Sequence, residues 1–291
     1  MFMDGTATSN RLETLTKVLM SKNLPPMEES SLKNILAPQS LPDFSKEQPT
    51  SLISAGKELG LIKFSEKNNK IKKITSNGKD PKQYLLEVLD EMILSQTEVE
   101  PYFAKFFSYA LHHNIPFSNK KDDNESLASL VNQEIIGFAR GNPFNYTKIS
   151  SYLPWYSYMG LTQPIKSSGS LTISEAYPYE RIKRKLHQIF KENNQLFIDD
   201  FMQKFGSNCP ELDGGEIYKS VTVSSSAPMK ELTLGVSNAL IELHISGHIT
   251  LDCPLDSDGW SFNSRISIGS LPDHPTPLKS NKIYSVTCEA F

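Results

Sequence analysis

A change of hydrophobic period at one glycine is the feature that most constrains the fold of this chain. Before Gly60, apolar residues recur at helical spacing, and we expect the hydroxyls of Thr50 and Ser51 to start that helix. Gly60 itself suits the positive φ of a helix C-cap. After it, apolar residues fall in short extended segments around Asn68 and Asn69, which tolerate the conformations of a tight turn. A helix that runs directly into a small β-ribbon is the last part of a winged helix-turn-helix.

The same succession of helix, glycine and ribbon occurs twice more along the chain, which points to a repeated unit. The sequence predicts a helix from about Tyr146 to Met159, Gly160 and a hairpin between Leu161 and Ile173, then a helix from about Leu232 to Ile245, Gly247 and a ribbon between Ile249 and Phe262. Pro154 lies inside the first of these helices and should kink it. Amphipathic segments that can supply further helices precede each unit.

These elements predict a mainly α fold with small β-hairpins, of the α+β class, built from tandem winged helix-turn-helix units. A chain of 291 residues has room for two ordinary domains or three small ones. We predict an N-terminal winged-helix domain over residues 1–80, a helical or second winged-helix-like domain over residues 81–177, and a C-terminal winged-helix domain with extra strands over residues 178–291. The last 29 residues alternate like strands and are expected to add to a neighbouring sheet.

Composition excludes several classes of protein. The net charge of -3 excludes a uniformly basic nucleic-acid coat, so any contact with DNA must come from a local patch. No apolar run approaches the ~20 residues that a membrane-spanning helix needs, and the amino terminus lacks a basic-then-apolar signal. The three cysteines are far apart and form no CxxC pair, which favours free buried thiols in a reducing compartment. We therefore expect a soluble, cytoplasmic protein without a membrane partner.

The clearest charge feature is the ribbon that follows Gly60. Between residues 63 and 79, six lysines are opposed by Glu66 alone. Such a ribbon, beside a helix end that carries hydroxyls, can lie along double-stranded DNA with its lysines on the phosphates. The predicted DNA-binding residues are Thr50, Ser51, Lys57, Lys63, Lys67, Lys70, Lys72 and Lys73. The helix has no arginine or glutamine for bidentate base contacts, so sequence-specific binding is not expected. The open alternative is that the lysines only solubilise an edge ribbon.

Two other segments offer weaker signals for nucleic-acid binding. The basic run "RIKRKLHQIFK", which begins at Arg181, is interpreted as the solvated face of an amphipathic helix. The third ribbon, in "LDCPLDSDGW", is acidic and would repel phosphate, so it better suits packing against another unit or a partner protein. Aromatic residues of the middle unit are predicted to be mostly core, with base stacking or anchoring of an interface as the alternatives: Tyr146, Tyr152, Trp155, Tyr156 and Tyr158.

Signals for catalysis are weak. His244 and His248 have the spacing of metal ligands on a helix, but Gly247 should end the helix between them. Glu216 and Lys219 resemble the acid and lysine of metal-dependent nucleases, with one residue too many between them and no clear strand to hold them. The chain has no phosphate loop, dinucleotide fingerprint or serine elbow. We therefore expect no catalytic residue, no metal and no cofactor, and a protein that is not an enzyme.

Two stretches, "SAGKELGLIKF" near residue 60 and "SSYLPWYSYMGL" near the middle, resemble the DpdG family. That family is a small winged-helix component of bacterial clusters that insert 7-deazaguanine derivatives into DNA and restrict foreign DNA. The resemblance spans most of the chain and rests on no catalytic motif. It implies an accessory, non-enzymatic subunit of a DNA-modification or antiphage system that works with larger enzymes.

The function we expect combines these observations. The chain would contact DNA through its first ribbon and a larger protein subunit through its carboxy-terminal unit, and so dock a defence or modification complex on DNA. One alternative is a protein-protein assembly module without DNA binding, like the tandem winged-helix proteins that bind kleisins. Another is a transcriptional regulator, which would need a ligand pocket or a symmetric dimer interface.

Overall fold

The computed structural model describes residues 7–37, 47–66, 69–75, 78–94, 100, 102–136, 144–168, 171–222, 230–255, 258–263 and 278–288. The chain divides into two compact units, Met1–Pro101 with Thr147–Trp155, and Tyr102–Tyr146 with Tyr156–Phe291. The three domains predicted from the sequence stay a prediction, because one compact unit can contain more than one of them.

The first unit contains the helices α1 (Ser9–Met20), α2 (Glu29–Leu36), α3 (Glu47–Glu58) and α4 (Pro81–Leu94). Helix α1 buries Leu12, Leu15 and Leu19 on one face, as their spacing predicts. Helix α3 packs closely on α1, since a Cβ added at Gly56 would lie 2.7 Å from Leu15 Cδ2. The helix pair thus forms a compact apolar core.

The predicted start of α3 is wrong. The helix begins at Glu47, so Thr50 and Ser51 lie inside it rather than at its cap. Pro49 falls in its first turn, where a proline is tolerated because the missing N–H has no intrahelical partner there. The proline therefore marks the start of α3 better than the two hydroxyl residues do.

The predicted ribbon after α3 is present as a minimal two-stranded wing over residues 63–72, here called the first wing. Phe64 pairs with Ile71 in an antiparallel bridge, and Ile71 also pairs with Met27 from the segment between α1 and α2. Two further backbone bonds close the ribbon: Lys72 N–H donates to Lys63 O at 2.7 Å, and Ser65 N–H donates to Lys70 O at 2.8 Å. The extended segments therefore lie in the order first, third, second.

The second unit begins with α5 (Phe103–His112), β1 (Phe117–Ser118), α6 (Lys121–Val131) and a short π-helix (Asn132–Ile136). Helix α7 (Tyr146–Tyr158) follows in the sequence, and its residues Thr147–Trp155 belong to the first unit. The second unit continues with β2 (Thr162–Ser168) and β3 (Leu171–Ala176). Strand β3 pairs antiparallel with both β1 and β2, so the sheet order is again first, third, second. The predicted hairpin is confirmed, and α7 is one helix across Pro154.

The rest of the second unit contains α8 (Tyr179–Ile189), β4 (Gln195–Phe197), α9 (Ile198–Asn208), α10 (Glu216–Thr222) and α11 (Leu234–Ile245). The strands β5 (Thr250–Asp252), β6 (Trp260–Ser261), β7 (Lys282–Ile283) and β8 (Ser285–Thr287) complete it. The sheets are β4-β8-β5 and β6-β7.

The third predicted ribbon is wrong in its pairing. Strand β5 pairs with β8, in the register Leu251↔Val286, and β6 pairs with β7, so the two expected partners do not pair with each other. The expectation that the carboxy-terminal segment adds to a sheet is confirmed by β8, whereas residues 264–270 lie outside the described part of the chain. Strands β5 and β8 are therefore neighbours in the sheet, although more than thirty residues separate them in the sequence.

A mainly α fold with small antiparallel sheets is therefore confirmed, and the predicted helix-ending glycines are confirmed as well. Gly60, Gly160 and Gly247 have φ of +66°, +70° and +72°. The helix ends carry the bonds of a Schellman turn, with Leu161 N–H to Tyr156 O and His248 N–H to Leu243 O, both at 2.9 Å. In each case the glycine turns the chain from a helix into a strand or wing.

A buried ion pair joins elements of the segment from α8 to β8, here called the third repeat. Arg181 and Glu211 are 1% and 0% exposed, and Arg181 Nε donates to Glu211 Oε1 at 2.8 Å. Arg181 Nη2 also donates to Asn208 O, and Ser108 Oγ donates to Glu211 O at 2.7 Å. The prediction that Arg181 lies on a solvated face is wrong, because a buried guanidinium needs the charge and acceptors that this pocket supplies.

A second buried acid fixes the start of α11. Both carboxylate oxygens of Asp213 accept bonds from Thr233, one from its N–H at 2.8 Å and one from its hydroxyl at 2.7 Å. Burial raises the pKa of Asp213 to about 6, and the bonds from Thr233 only partly oppose this shift. The folded state therefore binds a proton at Asp213 more tightly than the unfolded chain does.

We expect Asp213→Asn to remove a pH dependence of stability. Because the folded-state pKa is above the unfolded one, the protonated acid stabilises the fold at low pH, and this contribution is lost as pH rises through about 6. Relative to Asp213→Asn, the wild type should lose up to ~3 kcal/mol of unfolding free energy between pH 4 and 7. Urea unfolding across this range measures it, with the exposed Asp258→Asn as the matched control. Parallel profiles for wild type and Asp213→Asn would contradict the expectation.

We also expect two helix-ending glycines to differ in their tolerance of alanine. Alanine at either position has the strain of a left-handed conformation, roughly 1–2 kcal/mol. A Cβ at Gly247 meets nothing within 4 Å, whereas one at Gly160 would lie 2.5 Å from Glu180 Cβ. Gly160→Ala should therefore lower the melting temperature clearly more than Gly247→Ala in thermal unfolding. Equal losses would show that Glu180 moves aside without cost.

Candidate nucleic-acid interface

The first wing presents lysines on one face. Phe64 and Ile71 form its inner bridge, and Ile71 is 2% exposed. The alternation of a strand therefore places the neighbouring pair, Lys63 and Lys72, on the opposite face, where both are exposed. The bond between their backbones shows that they lie directly across from each other. Such pairs have Cβ atoms ~5 Å apart, and like charges at that distance repel.

Lys70 extends this lysine face by one step. It lies opposite Ser65 in the same ribbon and is half-buried. Neither Lys63 nor Lys72 forms a salt bridge with another side chain in the described part of the chain. The repulsion between these two lysines is therefore not relieved by a neighbouring carboxylate, and an anion would relieve it.

Lys57 lies beside the wing but is engaged by the protein. Its Nζ contacts Glu29 Oε2 at 2.6 Å and lies 5.4 Å from the centroid of the Phe64 ring. The hydrogen bond from Lys57 holds the pKa of the Glu29 carboxyl below its ordinary value, and Lys33 also pairs with Glu29 at 3.1 Å. The ammonium of Lys57 is thus fixed next to the wing with part of its charge neutralised.

The remaining predicted DNA-binding residues are spread around this centre. Lys73 is exposed and its Nζ donates to Lys22 O at 3.0 Å. Thr50 is exposed and Ser51 is half-buried, both within α3. Lys67 lies outside the described residues. The ribbon therefore brings together Lys63, Lys70 and Lys72, with Lys57 at its side, while the assignment of these residues to DNA stays a prediction.

The exposed face of α3 beside the wing carries little that reads a base. Among the α3 residues whose side chains the structure describes, the exposed ones are Thr50, Ser54, Lys57 and Glu58. The prediction that this helix contains no glutamine is wrong, because α3 begins at Glu47 and includes Gln48. Two hydroxyls, an engaged lysine and a carboxylate suit contacts with phosphate and sugar better than bidentate contacts with bases. The arrangement can hold a polyanion along the ribbon, with an affinity that falls as salt rises.

Sequence reasoning missed Glu29, which sets the position of Lys57. The pairing of Glu29 with Lys33 follows a helical i,i+4 spacing and was readable from the sequence. The contact with Lys57 joins residues 28 positions apart, so it depends on how α2 meets the end of α3. No local signal reveals such a contact.

A different surface lies on the third repeat, and we call it the aromatic patch. It consists of Phe197 and Tyr284, which are 60% and 43% exposed and whose ring centroids lie 5.5 Å apart in a T-shaped pair. Backbone bonds fix Tyr284 on both sides, since its N–H donates to Asp252 O and its carbonyl accepts from Ile198 N–H. The pair is thus held rigidly at the surface of the β4-β8-β5 sheet.

Carboxylates surround the aromatic patch. Asp252 is exposed and shares a cross-strand row with Ser285 and Phe197. Asp199 follows two residues after Phe197, and the hydrogen bond from Trp260 Nε1 at 2.9 Å holds its pKa below the ordinary value. Asp199 also pairs with Lys230 Nζ at 3.1 Å, which offsets its charge. Asp252 is therefore the carboxylate that repels phosphate here, in keeping with the predicted acidic character of the third ribbon.

The structure does not strengthen the weak sequence signals for catalysis and metal binding. His244 is buried, its Nδ1 accepts from Leu251 N–H at 3.3 Å, and Gly247 separates it from His248. Among the described residues, no group of three or more His, Cys, Asp or Glu is placed to hold a metal ion. Glu216 and Lys219 are exposed on helix α10 rather than on a strand. The absence of enzymatic activity stays a prediction.

Two predictions about buried side chains are confirmed. All three cysteines are free and buried, and burial raises the pKa of the Cys253 thiol to about 12. Of the middle aromatics, Tyr152, Trp155 and Tyr156 are buried, so these three belong to the core. In the part of the chain that the structure describes, no helix combines the length and the apolar character needed to cross a membrane.

Comparison with known proteins gives one match. A family model described as DpdG-like matches residues 3–257 of the chain. No curated protein and no solved structure matches the chain.

Proposed function

The chain belongs to the DpdG-like family, and we propose that it is a non-enzymatic accessory subunit of a bacterial DNA-modification and antiphage system. In this proposal its three repeats are tandem winged-helix units. The first wing contacts double-stranded DNA, and the carboxy-terminal repeat binds a larger protein subunit of the same cytoplasmic complex. Docking of that complex on DNA is the role we assign to the chain.

The opposed pair of Lys63 and Lys72 is the observation that carries the DNA part of the proposal. Two like charges directly across a ribbon destabilise it, and phosphates placed along the ribbon remove that cost. The wing stays free to approach a duplex because both side chains are exposed. The hydroxyls on the exposed face of α3 add contacts that are independent of sequence.

The aromatic patch supports the partner part of the proposal. Exposed aromatic residues are enriched at protein interfaces, and here two of them pack on each other at the surface. The exposed carboxylate of Asp252, whose backbone carbonyl accepts from Tyr284 N–H, disfavours DNA and favours cationic side chains, whereas Asp199 is already paired with Lys230. The partner segment should therefore carry lysine or arginine together with an apolar anchor for Phe197 and Tyr284.

One observation favours the alternative of an assembly module without DNA binding. Lys57 and Lys73 are already engaged by Glu29 and by the carbonyl of Lys22, so they offer less charge to a phosphate than the sequence suggests. In that version the first wing also binds protein. DNA affinity distinguishes the two functions.

We expect Lys63→Glu with Lys72→Glu to weaken binding to a short DNA duplex at least ~10-fold and to lower the salt slope of log K by about two. The double change keeps a like-charged pair on the wing, so its effect on folding should be small. Fluorescence anisotropy at several salt concentrations measures the DNA affinity and its salt slope. The control, Lys191→Glu with Lys219→Glu, alters two exposed lysines of the second unit and changes the net charge equally. Equal binding by wild type and wing variant would refute the DNA part.

We expect Phe197→Ser with Tyr284→Ser to abolish a stable complex with the proteins encoded beside this gene. Co-expression followed by size-exclusion chromatography measures complex formation. Leu130→Ser is the matched control, because this side chain is 40% exposed on α6. Unchanged complex formation by the double variant would refute the aromatic patch as the docking surface. A stable complex without any salt-sensitive DNA affinity would instead support the assembly module.

A further inference from the structure

A small open cavity of about 150 Å³ lies within the second unit. It is bounded by the segment after α5, the β2-β3 hairpin and the first turns of α11. Its lining combines three polar side chains, Asn114, Glu175 and Asn238, with the apolar side chains of Ile115, Pro116 and Ile165. Neither the first wing nor the aromatic patch contributes to this cavity.

The fold builds this cavity with close backbone contacts. Gly235 lets the start of α11 pack closely against β3. A Cβ at Gly235 would lie 2.5 Å from Ala176 O. Asn114 has a φ of +51°, and this left-handed conformation directs the chain away from the end of α5. The turn is closed by a hydrogen bond from Ile115 N–H to Ala110 O at 2.9 Å. Such fixed backbone makes the cavity preformed.

A bulge in β2 shapes the mouth of the cavity. The register of β2 against β3 shifts between Pro164 and Lys166, so Ile165 is the extra residue. Its side chain lines the cavity and is nevertheless 52% exposed. Bulges of this kind often re-aim a side chain next to a binding site. An exposed isoleucine at the mouth offers an apolar surface to a flat ligand.

The polar lining defines what kind of ligand fits. A carboxylate accepts hydrogen bonds and donates none, while each asparagine amide does both. Glu175 is held in place by Gln163 Nε2, which donates to its Oε1 at 3.0 Å from the opposite strand. A negative charge in the lining disfavours a phosphate. The cavity therefore suits a neutral, planar ring that carries N–H donors.

The size of the cavity sets the number of rings. A volume of about 150 Å³ is enough for one benzene-sized ring. A bicyclic ligand would place its six-membered ring inside and leave the second ring at the open mouth. Two adjacent N–H donors on the inner ring would meet the carboxylate of Glu175 best.

We propose that this cavity binds a nucleobase, with the donor edge of the base on Glu175 and its face against Ile165. This role goes beyond the docking function proposed above and does not depend on the lysine wing. Guanine presents two adjacent N–H donors on its Watson–Crick edge, whereas thymine has one N–H between two carbonyls that a carboxylate repels. The cavity should therefore prefer guanine to thymine. The base can come from a free nucleoside or from single-stranded DNA.

Saturation-transfer NMR with the full chain tests the proposal. Guanosine should receive saturation from the protein and thymidine should not, and titration should show at least ~10-fold weaker guanosine binding for Glu175→Gln, the loss of one charged hydrogen-bond acceptor. Ile165→Trp, which narrows the mouth without touching the buried fold, should weaken binding as well. The exposed Glu125→Gln on α6 is the control and should leave guanosine binding unchanged.

The arms of the experiment separate the possible results. Binding of a guanine-containing single strand without binding of guanosine would support the site and identify DNA as the source of the base. Equal binding of thymidine, or full guanosine binding by both Glu175→Gln and Ile165→Trp, would overturn the proposal, as would the absence of binding by any nucleoside and strand. Lys63→Glu with Lys72→Glu should leave guanosine binding intact, so failure of the wing and failure of the cavity are distinguishable.

Discussion

The left-handed glycine at the end of a helix is the constraint on which each of the three repeats depends. At Gly60, Gly160 and Gly247 the chain leaves a helix, and the next paired extended residue follows within four residues, at Phe64, Thr162 and Thr250. Any other residue would strain the turn, because the Cβ of an L-residue approaches the following carbonyl. The direction in which each wing or strand departs is therefore set by the backbone of one residue.

Polar groups in the core carry this organisation further in the third repeat. The pair of Arg181 and Glu211 joins α8 to the loop after α9, and Asp213 in the same loop holds the first residue before α11. A buried charge is tolerated only when its partners are fixed, so these contacts favour one arrangement of the three helices. The start of α11 that Asp213 positions is also one wall of the nucleobase cavity.

How much of this fold the sequence predicts depends on how local each contact is. The paired strands β2 and β3 lie only two residues apart in the sequence, so periodicity and the glycine positions were enough to predict the hairpin. The partner of β5 is more than thirty residues away in β8, and β4 has only three residues, too few to show a period. The lysine face was predictable because its residues alternate along one ribbon. Glu29 and the environment of Arg181 were not, because both depend on contacts between distant helices.

The first wing with its Met27 bridge and the sheets β1-β3-β2 and β4-β8-β5 share one strand order but present different chemistry, so function must divide according to surface residues rather than fold. Lysines are concentrated on the first wing, while carboxylates and exposed aromatics occupy the third repeat. The net charge of -3 does not oppose this division. Salt screens charges over about 8 Å at physiological ionic strength, so a phosphate on the wing responds to Lys63 and Lys72 rather than to the sum over the chain. In the function we propose, a weakly acidic protein thereby keeps one cationic face for DNA and a separate face for a protein partner.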